Sequence, residues 1–146
     1  MLIKVQLCYD RRVGLGVKAA TKIPKDTIVL YYYGDVHSTA QVKKDDGMTH
    51  THLMTIPGTG CSINGEYKIL FPSEAVADLN KTHTIPCPLM SLTNSSYEYK
   101  DANCKLIIKN KPTLYANNLS LNKMACLVTT RDIEEYEELI WSYIFR

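Results

Sequence analysis

The 146-residue sequence has no C-x-x-C pair, no low-complexity tract, and no apolar run approaching the roughly 20 residues needed to cross a bilayer. Each absence excludes something. The five cysteines, Cys8, Cys61, Cys87, Cys104 and Cys126, are odd in number and widely spaced, so a disulfide framework is not indicated and mostly buried, reduced thiols are expected. Without a membrane-length segment the chain does not read as membrane-spanning. The N-terminus, Met1 to Leu7, alternates apolar and polar residues as a half-buried strand does. It lacks the apolar stretch and small-residue cleavage site of a signal peptide, which points to an intracellular protein, nuclear or cytoplasmic. A net charge of +2 is too small to argue for direct nucleic-acid binding, which calls for a concentrated basic face. Lys105, Lys109, Lys111 and Lys123 read as solvated surface. His50, His52 and His83 precede Cys87, but Thr-His-Thr-His is equally the alternation of a solvated strand, and no metal site is expected.

What remains is an ordinary globular composition, 45% hydrophobic and 22% charged, with no repeat or linker to divide it. One domain over 1–146 is therefore expected. Strands are predicted over Leu2 to Leu7, Gly16 to Ala20 and Thr27 to Tyr33, the last dense in β-branched and aromatic residues. His52 to Ile56 and Cys61 to Ile63 flank Pro57-Gly58-Thr59-Gly60 as a hairpin, and Asn64-Gly65 signals a tight turn. Residues 37–50 are polar, a loop or short helix. Clear helical character is confined to Pro72 to Asn80, with Ser73 as N-cap, and a short helix is expected over Leu89 to Leu92. Strands return over Lys105 to Lys109, Thr113 to Tyr115 and Met124 to Thr129. Short strands dominate and helices are few, so the fold class is mostly β.

Four segments then follow in order. Arg12-Val13-Gly14-Leu15-Gly16-Val17 contains G-x-G between two strands. Tyr32-Tyr33-Gly34-Asp35-Val36 ends the next strand in glycine. Leu92-Thr93-Asn94-Ser95-Ser96-Tyr97 is joined later by Ala102-Asn103-Cys104. Arg131 to Tyr143 reads RDIEEYEELIWSY. Together they resemble the landmarks of the SET domain family of protein lysine methyltransferases: G-x-G, Y-x-G-E, N-H-S-C with P-N-C, and R-D-I-x-x-G-E-E-L-x-x-x-Y. Departures fall at Ser95 (histidine in the family), Tyr97 (cysteine), Ala102 (proline) and Tyr136 (glycine). The resemblance spans residues 12–143 and leaves only a variable insert at about 67–88 without counterpart. It implies a β-clip of several small curved sheets with a C-terminal pseudoknot-like crossing. The sequence ends three residues after Tyr143, so it resembles compact SET domains without a cysteine-rich closing segment, such as minimal viral SET proteins. That likeness admits a homodimer, and a viral source would place the protein in a host cell.

The resemblance further implies S-adenosyl-L-methionine as cofactor and a lysine-containing protein or peptide as substrate. Gly14, Leu15, Gly16, Asn94 and Ser95 are the expected cofactor contacts. Glycines let backbone groups approach a ligand closely, although a plain hairpin turn explains them equally. An asparagine amide both donates and accepts, matching a group with ammonium and carboxylate, although turns and caps use it as often. Ser95 is expected to act partly through its main chain. Tyr143 is the expected catalytic residue, its phenol orienting the reacting groups. Tyr32, Tyr33 and Trp141 are expected along a substrate lysine channel, with ordinary core packing as the alternative for each. Alternation along Tyr31-Tyr32-Tyr33 turns Tyr32 away from its two neighbours. The acidic cluster Asp132, Glu134, Glu135, Glu137 and Glu138 reads as a solvated turn or an attractor of basic peptides. A SET-like peptide-binding module without catalysis is the alternative function.

Overall fold

The structure, a computed structural model, describes residues 2–44, 52–66, 79–96 and 101–142. Strands β1 (Lys4–Asp10) and β2 (Gly14–Ala19) pair antiparallel, with Leu7 opposite Val17 and Val5 opposite Ala19. These four side chains are at most 2% exposed, so this end of one face of the hairpin is committed to the core. β7 (Thr82–Thr84) adds to the other side of β1, a strand hidden within the stretch that the sequence left as an insert.

β3 (Ile28–Tyr31) is shorter than the expected Thr27 to Tyr33. The chain leaves the sheet at Tyr32 and, through Gly34, enters β4 (Asp35–Ser38), whose last two residues open the stretch 37–50 expected as a loop or short helix. A short α1 (Thr39–Lys44) follows. β5 (Leu53–Ile56) and β6 (Cys61–Asn64) form the expected hairpin around residues 57–60. β6 lies between β4 and β5. Asn64-Gly65, expected as a tight turn, instead carries the chain beneath an aromatic ring: a Cβ on Gly65 would lie 2.8 Å from the Tyr32 ring. Glycine is needed there for close approach. The helix expected over Pro72 to Asn80 falls outside the described residues except for Leu79 and Asn80, which form a turn.

The largest sheet has five strands in the order β3, β12 (Met124–Thr129), β9 (Cys104–Lys109), β13 (Ile140–Ser142), β8 (Asn94–Ser96). Every residue of β12 is buried, as befits a strand covered on both faces. β13, near the end of the chain, inserts between β8 and β9, parallel to β8 and bridged in parallel to β9 at Cys104. A strand from the last landmark thus lies between the two strands of the third, which is the expected pseudoknot-like crossing. β10 (Thr113–Leu114) and β11 (Ser120–Leu121) form a small hairpin. The short helix expected over Leu89 to Leu92 is present as a 3-10 helix, Met90–Leu92. Among the described residues no helix is long and apolar enough to cross a membrane.

Candidate active site

The last landmark lies along β2. Tyr136 donates to the Ala19 carbonyl (2.7 Å), Ala19 to Glu137 (2.8 Å), and Leu139 to Val17 (2.8 Å). This antiparallel run, bridged at Lys18 and Glu138, turns the Glu138 side chain onto Gly16. A Cβ on Gly16 would lie 2.6 Å from Glu138 Oε1, 2.8 Å from Asn94 Nδ2 and 3.3 Å from Cys8 Sγ. Only glycine allows the three side chains to close on the backbone of β2. Asn94 Nδ2 donates to Glu138 Oε1 at 2.7 Å. Gly14, at φ +82°, occupies the left-handed conformation that closes the hairpin, and Leu15 follows it, half-buried. The structure therefore brings Gly14, Leu15, Gly16 and Asn94 to one end of β2 and adds Glu138, which the sequence reading assigned to a solvated acidic turn.

Asn103 holds the crossing together. Its Nδ2 donates to the Glu138 carbonyl (2.8 Å), its Oδ1 accepts from Ile140 N–H (2.8 Å), and its own N–H donates to the Ile140 carbonyl (2.9 Å). At 2% exposure it is a polar clamp inside the core, joining the third landmark to the fourth. Arg131 forks onto the Glu137 carboxylate, with Nη1 to Oε1 at 3.1 Å and Nη2 paired to Oε2. That guanidinium holds the Glu137 carboxyl below its ordinary value.

β8 and β13 form a two-sided wall. Asn94 is in register with Ile140, and Ser95 with Trp141. Alternation puts Asn94 on one face and Ser95 with Trp141 on the other. On the second face is a cavity of about 170 Å³ lined by Tyr32, His52, Leu53, Met54, Met90, Ser91, Thr93 and Trp141. That volume is below the roughly 300–1,000 Å³ of pockets for whole small-molecule ligands and suits one narrow side chain. The Tyr32 hydroxyl donates to the His52 carbonyl, which fixes the ring across the cavity. An apolar groove of about 520 Å³, lined by Met54, Thr55, Pro57, Leu106 and Ile108, shares Met54 with it.

Tyr32 and Trp141 thus meet in one cavity, whereas Tyr33 does not line it. As alternation predicts, Tyr33 turns the other way, edge-on to Tyr31 (centroids 5.9 Å) and stacked on Tyr115 (6.2 Å). Ser95 lies on the cavity-side face of β8, not with Asn94. Tyr143 lies outside the described residues, as does Tyr97.

Burial, with the charge of Glu138 second, pushes the Cys8 thiol upward, so the ground beside Gly16 disfavours added negative charge. Burial also pushes Cys87 and Cys104 up to about 12, which keeps both thiols protonated and inert. All five cysteines are free, with Cys87, Cys104 and Cys126 buried. Among the described residues no three His, Cys, Asp or Glu side chains cluster to hold a metal.

The SET domain profile matches residues 14–144. The chain belongs to the SET domain family. No curated protein sequence matches it. Among solved structures the SET fold is similar to ATXR5 in complex with mono-methylated histone H3.1, with TM-score 0.62 and 18% identity over 95% of this chain and 56% of that one. The chain thus spans little more than half of that relative. It is also similar to a Plasmodium falciparum protein proposed to be a histone methyltransferase, with TM-score 0.58 and 14% identity over 100% of this chain and 97% of that one. A third likeness is to Polycomb Repressive Complex 2 of Chaetomium thermophilum, autoinhibited and bound to S-adenosylmethionine. Its TM-score is 0.60 and its identity 18%, over 98% of this chain and 15% of that one. At these identities the likeness is one of fold. Within the SET fold here, the two faces of the β8–β13 wall are the chemically equipped surfaces.

Proposed function

We propose that this SET domain is an S-adenosylmethionine-dependent protein lysine methyltransferase. The observation that carries the reading is the two-sided wall, with Gly16, Asn94 and Glu138 gathered on one face and a narrow cavity of Tyr32 and Trp141 on the other. A transfer between a cofactor and a separate amine needs two such compartments.

The groups beside Gly16 fit the amino-acid end of the cofactor. Asn94 offers an amide held by Glu138, and Gly14 to Gly16 offer backbone. When bound, S-adenosylmethionine supplies an electrophilic methyl on a sulfonium. The chain's own residues then have two tasks. One is to present a neutral amine, since a lysine of pKa about 10.4 is only about one part in 2,500 neutral at pH 7. A narrow channel walled by Tyr32, Leu53, Met54, Met90 and Trp141, with His52, Ser91 and Thr93 beside them, limits the water that reaches the ammonium, and desolvation can lower a lysine pKa by up to about 3–5 units. No conventional base is required. The other task is alignment, worth roughly 7–11 kcal/mol when reactants are held in near-attack geometry. Tyr32, fixed by its bond to His52, and Trp141, fixed by burial, are rigid walls for that purpose. Tyr143 is assigned the orienting phenol on the family pattern.

The substrate is a protein or peptide. β5 is the edge of its sheet among the described residues, and the groove at Met54 and Ile108 runs beside it. This supports an extended peptide laid along the edge with its lysine in the channel. The relative solved with a histone H3.1 peptide supports histone tails as the first class to try.

The test is mass spectrometry of histones and peptide libraries incubated with the protein and methyl-labelled cofactor. Labelled methyl on lysine is expected, with Tyr143→Phe lowering the rate at least about 10-fold while leaving cofactor affinity nearly unchanged. Cofactor binding with no transfer to any lysine would contradict the enzymatic reading and favour a binding module.

A further inference from the structure

We propose that Glu138 is a positioning residue that locks the Asn94 side chain with its carbonyl oxygen, not its amino group, toward the cofactor's ammonium. The assignment rests on the cofactor reading above. An asparagine amide can face a ligand by either end, and the two ends have opposite preferences: Oδ1 accepts from an ammonium, while Nδ2 repels it. Something must choose between them. A carboxylate only accepts, so the 2.7 Å contact between Asn94 and Glu138 admits one orientation, Nδ2 toward Glu138.

Glu138 is itself held. Its backbone is bridged to Lys18, its carbonyl accepts from Asn103, and its neighbours bond to Val17 and Ala19 of β2. The side chain lies 2.6 Å from where a Gly16 Cβ would stand, so the carboxylate is wedged between Asn94 and the β2 backbone. Among the members of the acidic cluster, Glu137 is engaged by Arg131 and Asn103, and Glu134 by Lys22 at 3.9 Å. Glu138 instead turns inward to an amide in the expected cofactor cleft. Its role is electrostatic selection of an amide orientation.

The test is calorimetric titration with two probes, S-adenosylmethionine and methylthioadenosine, which lacks the amino-acid end. The variants are Glu138→Ala, Asn94→Ala and the double variant. Each single variant is expected to weaken S-adenosylmethionine about 5- to 100-fold, the range for a charged group left poorly paired. The double variant should be no weaker than Asn94→Ala alone, because Glu138 acts through Asn94. Methylthioadenosine affinity should be unchanged throughout. Glu138→Gln, whose amide accepts either orientation of Asn94, should lose only about 2- to 3-fold while keeping its thermal midpoint, since an acceptor of the same size remains. Multiplicative losses in the double variant would mean that Glu138 contacts the cofactor itself, overturning the positioning role. Equal weakening of both probes would make Glu138 structural. Unchanged S-adenosylmethionine affinity in Glu138→Ala would also overturn the assignment. A wild-type chain that binds methylthioadenosine but not S-adenosylmethionine would remove the ammonium site. One that binds neither would overturn the cofactor reading beneath it.

Discussion

Tyr136 illustrates how a single residue departs from its family without departing from its geometry. The family pattern has glycine there, and Tyr136 stands at φ +67°, a left-handed conformation that an L-residue adopts at a cost of roughly 1–2 kcal/mol. Lys18 Nζ lies 5.3 Å from the centre of its exposed ring, a cation–π contact that offsets part of that cost. The backbone bond from Tyr136 to Ala19 survives, and with it the docking of the last landmark on β2. Trp141 is the residue where channel and core readings meet, because it is 3% exposed and also lines the cavity. If its indole sets the channel width, Trp141→Phe should shift product toward higher methylation states in mass spectra. The thermal midpoint should fall only a few degrees, as for a loss of about 1 kcal/mol. A strongly destabilised variant with unaltered product ratios would return Trp141 to the core alone.

At the scale of elements, the decisive feature is that β13 threads between β8 and β9 under the hold of Asn103. Asn103→Ala would leave the Ile140 N–H and the Glu138 carbonyl without their partner, at about 1–3 kcal/mol for each buried group. A loss of about 3 kcal/mol is expected, read as a lower urea midpoint at unchanged slope. An unmoved midpoint would remove Asn103 as the clamp. Much of this scale was legible in the sequence. The G-x-G hairpin, the hairpin around Pro57 to Gly60 and the strand Met124 to Thr129 rest on turn chemistry and dense apolar runs, which are local signals. β8 and β13 were not legible as strands, since three residues each carry no period, and their pairing joins positions more than 40 apart. β7 was hidden for the same reason. The site followed the same division. Gly16 and Asn94 carried a recognisable pattern, and Tyr32 separated from Tyr33 by strand alternation. Glu138 looked like any other member of an acidic turn, because its inward direction depends on docking against β2.

At the scale of the whole molecule, the small sheets and their crossing assemble two unlike surfaces back to back on one thin wall. The face with Gly16, Asn94 and Glu138 is polar, suited to an amino-acid end that carries an ammonium and a carboxylate. The face with Tyr32, Met90 and Trp141 is a narrow cavity lined by both apolar and polar side chains and sized for one side chain. Binding on the first face is the premise of everything proposed for the second. The most direct measurement is therefore calorimetric titration of the wild-type chain and Asn94→Ala with S-adenosylmethionine up to millimolar concentration. The account predicts one cofactor per chain on the wild type and a loss of about 1–3 kcal/mol in Asn94→Ala. No heat with the folded wild type, or equal affinity for both proteins, would contradict it.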